Sequence, residues 1–189
     1  DFNSGHGTGY YVDGVLMRDA EWSYQSNQDV MPTWTWIIDS NGSKLDGDYD
    51  FTDAYNGGNS IKFHGNLDAV NDILLYSTDI AVENKMTLSL TAKGGLEDAY
   101  LVVYVGDADA ESYMDCDRIS CMFEDTEGWA TAESILGGYE GKILYGIGLD
   151  IDGAQTDYEI NVGRISIIDK NRAASAAPKN VRVEAMEYT

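Results

Sequence analysis

At 189 residues the chain is long enough for one large domain with a sizeable core, and 43% hydrophobic residues set it apart from disordered sequences. Its 33 acidic against 12 basic residues leave a formal charge of −21, a surface that repels phosphate backbones and anionic lipid, so nucleic acid and membranes are excluded as partners. No apolar run approaches the roughly 18 residues of a membrane span.

Residues 1–9 (DFNSGHGTG) hold three glycines and no periodicity, and read as a lead-in from an upstream domain. A first strand is predicted from Tyr10. Pro32 sets the entry to a strand over Thr33–Ile38, in which Trp34 and Trp36 share one face. Asn41-Gly42 is a turn signal, expected to close a hairpin with the residues near Tyr49 and Phe51. The acidic, Gly-rich loop Asp53–Asn59 then runs into a strand whose alternation turns Ile61 and Phe63 to one face and Ser60, Lys62 and His64 to the other.

Short apolar runs follow at Ile73–Tyr76 and Ile80–Val82, and Met86, Leu88 and Leu90 alternate with Thr87, Ser89 and Thr91. The near-continuous apolar run Ala99–Val105 predicts a strand covered on both sides. Ile119–Phe123, Ser134–Leu136, Ile143–Ile151 and Tyr158–Ile168 complete the set, with Gly128-Trp129 read as loop. About ten short strands between Gly, Asp and Asn turns predict an all-β, jelly-roll β-sandwich over residues 10–171. A small-residue linker (172–178) and the start of a further β domain (179–189) are expected beyond it, so the sequence is expected to be a segment of a longer protein.

Two cysteines, Cys116 and Cys121, are too few for a disulfide framework. A local bridge and two reduced thiols are both compatible with their spacing. The only histidines are His6 and His64, and no G-x-S-x-G, P-loop or H-E-x-x-H pattern occurs. The sequence carries no positive sign of catalysis.

Aromatic residues make up 11% of the chain, with thirteen tyrosines and four tryptophans. Aromatic rings bind sugars by stacking on the weakly apolar faces of pyranose rings, while Asn, Asp and Gln take the hydroxyls; core packing competes for the same residues. Trp129, in the polar segment EDTEGWATAE, is the leading candidate for an exposed platform, with Tyr139 and Tyr104 as further carbohydrate-binding candidates. Trp34 and Trp36 are expected to be buried or to contact another domain. Asp53, Asn56, Gly58 and Asn59 offer the oxygens that suit calcium, and equally those of an ordinary solvated turn.

The segments FNSGHG (Phe2–Gly7), YYVDG (Tyr10–Gly14), EWSYQSNQDVMPTWTW (Glu21–Trp36) and FTDAYNGGNSIKF (Phe51–Phe63) resemble the region that follows the catalytic barrel in bacterial endo-β-N-acetylglucosaminidases of glycoside hydrolase family 85. From there to Asp169 the chain is similar only to the general galactose-binding-like jelly roll, including its closing pattern YEINVGRISIID (Tyr158–Asp169). That family cleaves the chitobiose core of N-linked glycans with an Asn-x-Glu pair on its barrel, and no Asn here is followed two positions later by Glu. The resemblance therefore implies a hydrolase parent and a non-catalytic module for this chain, either binding or orienting glycan or buttressing the barrel without sugar. It implies a glycan or glycoprotein and the barrel of the same polypeptide as partners, secretion or cell-surface display by a bacterium, and His6 as linker. It also implies a structural calcium that joins Asp53, Asn56, Gly58 and Asn59 to Asp169, the acid at the end of the last strand.

Overall fold

The structure, a computed structural model, describes residues 10–12, 15–19, 36–38, 44–55, 60–67, 71–124 and 126–169. The predicted lead-in, linker and following strand lie outside these residues, as do Trp34, Asn56, Gly58 and Asn59. Twelve strands are described: β1 (Tyr10–Val12), β2 (Val15–Asp19), β3 (Trp36–Ile38), β4 (Lys44–Asp50), β5 (Ser60–Leu67), β6 (Asn71–Ala81), β7 (Met86–Lys93), β8 (Ala99–Gly106), β9 (Asp117–Met122), β10 (Trp129–Ile135), β11 (Ile143–Ile151) and β12 (Gln155–Asp169). Only short 3-10 turns interrupt them among the described residues. The strands form two antiparallel sheets, one of seven strands and one of five in the order β3-β6-β11-β8-β9, and the fold is the predicted all-β sandwich.

The seven-stranded sheet is built on β12. One edge of that strand pairs with β5 through Gln155–Val162 and with β2 through Arg164–Ile168, and the other pairs with β7. Beyond these lie β4, β1 and β10. Period-two alternation decides which residues enter the sandwich. On β7, Met86, Leu88, Leu90 and Ala92 are at most 1% exposed. Their neighbours make a hydroxyl ladder on the opposite face, with Ser89 against Ser166 at 2.9 Å and Thr91 against Thr131 at 2.8 Å. Each fully buried Leu or Ile contributes about 1.5–3 kcal/mol by leaving water. Ile61 and Phe63 are buried as expected, and so is Ser60, which the pattern turned outward. Its hydroxyl donates to the Asp53 carbonyl at 2.6 Å and accepts from Asn161 Nδ2 at 2.8 Å.

On β8, Leu101, Val103 and Val105 join the core, while Val102 and Tyr104 are also buried, so this strand is covered on both sides as its sequence predicts. Its neighbour β11 contributes Gly146 and Gly148 to the same outer face. A Cβ on Gly148 would overlap the Ile73 carbonyl, and one on Gly146 would lie 2.7 Å from Leu74 Cδ1. Close passage of β6 over β11 therefore needs glycine there.

The hairpin expected at Asn41-Gly42 is corrected. The strands on either side of Asn41-Gly42 do not pair with each other: β3 joins the five-stranded sheet beside β6, and β4 joins the seven-stranded sheet beside β5. The hairpin instead closes across the acidic loop, with Asp50 opposite Ser60. Both cysteines are free thiols. Five residue steps of extended chain hold their Cα atoms about 16 Å apart, well beyond disulfide reach.

Candidate functional site

The loop that caps the β4–β5 hairpin is held by its own carboxylates. Asp50 Oδ1 accepts from Thr52 N at 2.8 Å, Thr52 Oγ1 at 2.6 Å and Asp53 N at 3.2 Å, and Oδ2 accepts from Asn161 Nδ2 at 2.9 Å. These donors, the Thr52 hydroxyl foremost, outweigh partial burial and hold Asp50 at a pKa of about 2. Asp53 takes Lys93 Nζ at 2.5 Å. Asp169 stands in register with Met86, whereas Lys93 at the other end of β7 stands in register with Asn161. Seven residue steps separate the two ends, about 23 Å. Asp53 and Asp169 thus lie toward opposite ends of β7, and among the described residues no trio of His, Cys, Asp or Glu converges on a metal position.

The three predicted sugar platforms are found in packing positions. Trp129 is not in a loop; it opens β10, half-buried, in register with Lys93. Its ring lies over Gly163, where a Cβ would approach to 2.5 Å, and meets Tyr55 at 57° with centroids 5.7 Å apart, while Lys93 Nζ sits 6.0 Å from its centroid. Tyr139 ends a 3-10 turn (Gly137–Tyr139), half-buried against the core. Tyr104 is 3% exposed and offers no free ring face. Trp36 stands opposite Leu74 in β3, the edge strand of the five-stranded sheet.

Tyr104 leads to a group of residues the sequence did not single out. Its hydroxyl donates to Asp72 on β6. The same carboxylate receives Arg118 Nε at 2.5 Å and Nη2 at 2.6 Å, and Nη2 also binds Asp150. Arg118 belongs to β9, so its guanidinium passes over β8 and β11 to reach β6. Arg118 stands in register with Tyr104, whereas Asp72 and Asp150 stand in the row of Tyr100, four residues along β8, so the side chain crosses the sheet diagonally.

Electrostatics differ sharply within this group. Burial opposes ionisation of Asp72, but Arg118 and the Tyr104 hydroxyl outweigh it and hold its carboxyl below the usual range. Asp150 is pushed up, by burial first and by the adjoining Asp72 carboxyl. Its Oδ1 is buried without a hydrogen-bond partner. Burial and the Asp72 carboxylate push the Tyr104 phenol up, so it remains a donor. Beside them Tyr100 is half-buried between Asp150 on β11 and Met122 on β9, and Met122 is 68% exposed. The outer face of the five-stranded sheet thus presents a half-exposed guanidinium, two carboxyls, a tyrosine edge and an apolar side chain along one row. The one sequence signal for it was the spacing of Tyr100, Val102 and Tyr104, which sets them on a single face.

No protein-family model and no curated protein matches the chain. Among solved structures it is similar to the glycoside hydrolase domain of Endo-D from Streptococcus pneumoniae R6, at 36% identity over 88% of this chain and 27% of that one, with a TM-score of 0.53. The chain thus spans about a quarter of that protein's length. It also matches the family 11 carbohydrate-binding module of a Clostridium thermocellum cellulosomal cellulase, at 11% identity over 82% of this chain and 94% of that one, with a TM-score of 0.51. A third match is the family 22 carbohydrate-binding and family 10 hydrolase modules of a C. thermocellum xylanase, at 13% identity over 93% and 30% of the two chains, with a TM-score of 0.54. The last two likenesses are of fold.

Proposed function

The chain is a β-sandwich similar, over most of its length, to a segment of Endo-D, and on that premise we propose that it is a non-catalytic, carbohydrate-binding accessory module of a glycoside hydrolase. The observation that carries the reading is the row across the outer face of the five-stranded sheet. Arg118 and Asp150 supply directional hydrogen bonding for sugar hydroxyls, and Tyr100 with Met122 supplies an apolar flank. Such a face selects and holds a glycan, and the Asn-x-Glu of the resembling hydrolase family is absent from the sequence. The parent activity that fits is hydrolysis of N-glycans by an endo-β-N-acetylglucosaminidase, outside a bacterial cell, with this module bringing glycan or glycoprotein to the catalytic barrel.

The burial of Tyr104 and the packing of Trp129 and Tyr139 favour a second reading, a structural domain that buttresses the barrel. Affinity gels and a glycan array separate the two. Binding by the wild-type module that is lost in Tyr100→Ala, with the melting temperature kept, supports the first, and no retardation by any N-glycan or plant polysaccharide supports the second.

A further inference from the structure

A concavity adjoins the Arg118, Asp72 and Asp150 group on the far side of Tyr104, under the connection between β8 and β9. Its volume is about 300 Å³, and Tyr113, Tyr145, Thr78, Glu111 and Cys116 are among the residues that line it. Both rings are fixed. The Tyr145 hydroxyl donates to the Asp107 carbonyl at 3.0 Å. Tyr113 meets Tyr104 edge-on at 5.2 Å and lies over Gly146, where a Cβ would come within 2.8 Å of it. The connection is braced by the Ser112–Asp115 capping box and by Ala110 N–H to the Asp107 carbonyl at 3.0 Å. The walls therefore stand before any ligand arrives, which spares a ligand the entropy of ordering them.

The charge facing this cavity has one sign. Glu111 lines it, and an adjoining cleft continues past Asp107, Asp109 and Asp115. Asp79 bears on Tyr145 from β6, and Asp115 and Asp117 bear on Cys116. The one cation among these groups, Lys142, is committed to Asp117 at 2.9 Å and Asp107 at 3.8 Å. Asp115 is taken by Ser112. Among the described residues Glu111 and Asp109 have no hydrogen-bond or ion-pair partner. Burial and the surrounding carboxylates push both the Tyr145 phenol and the Cys116 thiol up, so neither adds an anion of its own near neutral pH.

We propose that this cavity binds a small protonated primary amine, with the ammonium directed at Glu111 and its carbon body between Tyr113 and Tyr145. A solvated acidic rim selects nothing by itself. Rigid rings beside a cation-attracting opening do, because they cover the carbon body of the ligand while the carboxylate takes its ammonium. Acetylation of the amine removes the charge and enlarges the group, and so abolishes the interaction. An amino sugar with a free amine and a lysine side chain share this chemistry. The site does not depend on glycan binding at the Arg118 face.

The test uses the whole chain and the Cys116 thiol as reporter, with Cys121 as internal reference. Glucosamine, N-acetylglucosamine and Nα-acetyl-lysine methylamide are titrated while labelling by a neutral pyridyl disulfide is followed residue by residue. The expected result is that a free amine slows Cys116 labelling at least about threefold at saturation, that Cys121 is unaffected, and that Glu111→Gln and Tyr145→Leu each raise the Kd at least about tenfold. Protection at lower concentration by glucosamine or by the lysine analogue identifies the source of the amine. The proposal is overturned if N-acetylglucosamine protects as well as glucosamine, if Glu111→Gln leaves the Kd unchanged, or if no amine protects at roughly 50 mM, far above any useful affinity. Glu111 is exposed and has no partner among the described residues, so its variant keeps the fold and decides the matter even where Tyr145→Leu destabilises.

Discussion

Arg118 on β9 binds Asp72 on β6 bidentately, closing over two intervening strands and leaving Asp150 between them. Arg118→Ala leaves two mostly buried carboxyls facing each other with no cation. Its guanidinium is 39% exposed while both acids are 15% exposed, so the loss lies between the limits for surface and buried pairs, about 2 kcal/mol. Urea unfolding checks this, and Arg118→Ala combined with Asp72→Asn and Asp150→Asn is expected to recover part of the loss.

Acid stability follows from the signs of the shifts. Asp50, at about 2 in the fold against 3.8 for the unperturbed group, contributes stability that is complete above pH 3.8 and lost as pH falls through 2. Asp72, also lowered, acts in the same direction. Asp150, raised, acts oppositely: its contribution is complete below pH 3.8 and fades as pH climbs through its folded value. The melting temperature of the wild type should therefore rise between pH 2 and pH 4. Asp50→Asn should flatten that rise, with a loss near pH 7 of about 1 kcal/mol after allowing for solvent screening. A slope unchanged in Asp50→Asn would refute the linkage.

Glycine replacement should sort by what surrounds it. Gly148→Ala drives a methyl into the Ile73 carbonyl and should destabilise by about 3 kcal/mol, the upper end for overpacking. Gly138→Ala, with nothing within 4 Å of its Cβ, should be neutral. Paired denaturation curves give the comparison.

Trp129→Ala should register mainly as stability. The ring covers Gly163 and Tyr55, and half-burial places the expected loss at about 2 kcal/mol, below that of a core tryptophan. Glycan affinity, measured on the same variant, should change less than twofold if the Arg118 face is the site. A tenfold loss of affinity with unchanged melting would return Trp129 to the role its sequence context suggested.

How much of this was legible depended on side-chain contrast. Leu88 and Leu90 against Ser89 and Thr91 announce a strand, and Val102 between Tyr100 and Tyr104 announces one covered on both faces. β10 was legible only at its end, because Ala130, Ala132 and Ser134 enter the core as small residues and leave almost no hydrophobic alternation; Trp129 was accordingly read as loop. The Asn41-Gly42 signal was wrong in strand partner, since turn chemistry does not reveal which sheet the next strand joins. The Arg118, Asp72 and Asp150 group was invisible for a related reason. In a chain with 33 acids no single carboxylate stands out, and only the strand order of β6, β11, β8 and β9 brings these three together.

β12 has a consequence for how the molecule is made. It lies at the middle of the seven-stranded sheet, yet it is the last strand of the twelve to leave the ribosome. Until residues 155–169 emerge, β2, β5 and β7 each present a bare edge of backbone donors and acceptors to the cytosol or to a secretion channel. Closure of this sheet therefore waits for β12 and rests on distant pairings such as Val162 with Ile61, which makes it slow. The acidic surface then serves the nascent chain first, by keeping neighbouring copies apart while their edges are open.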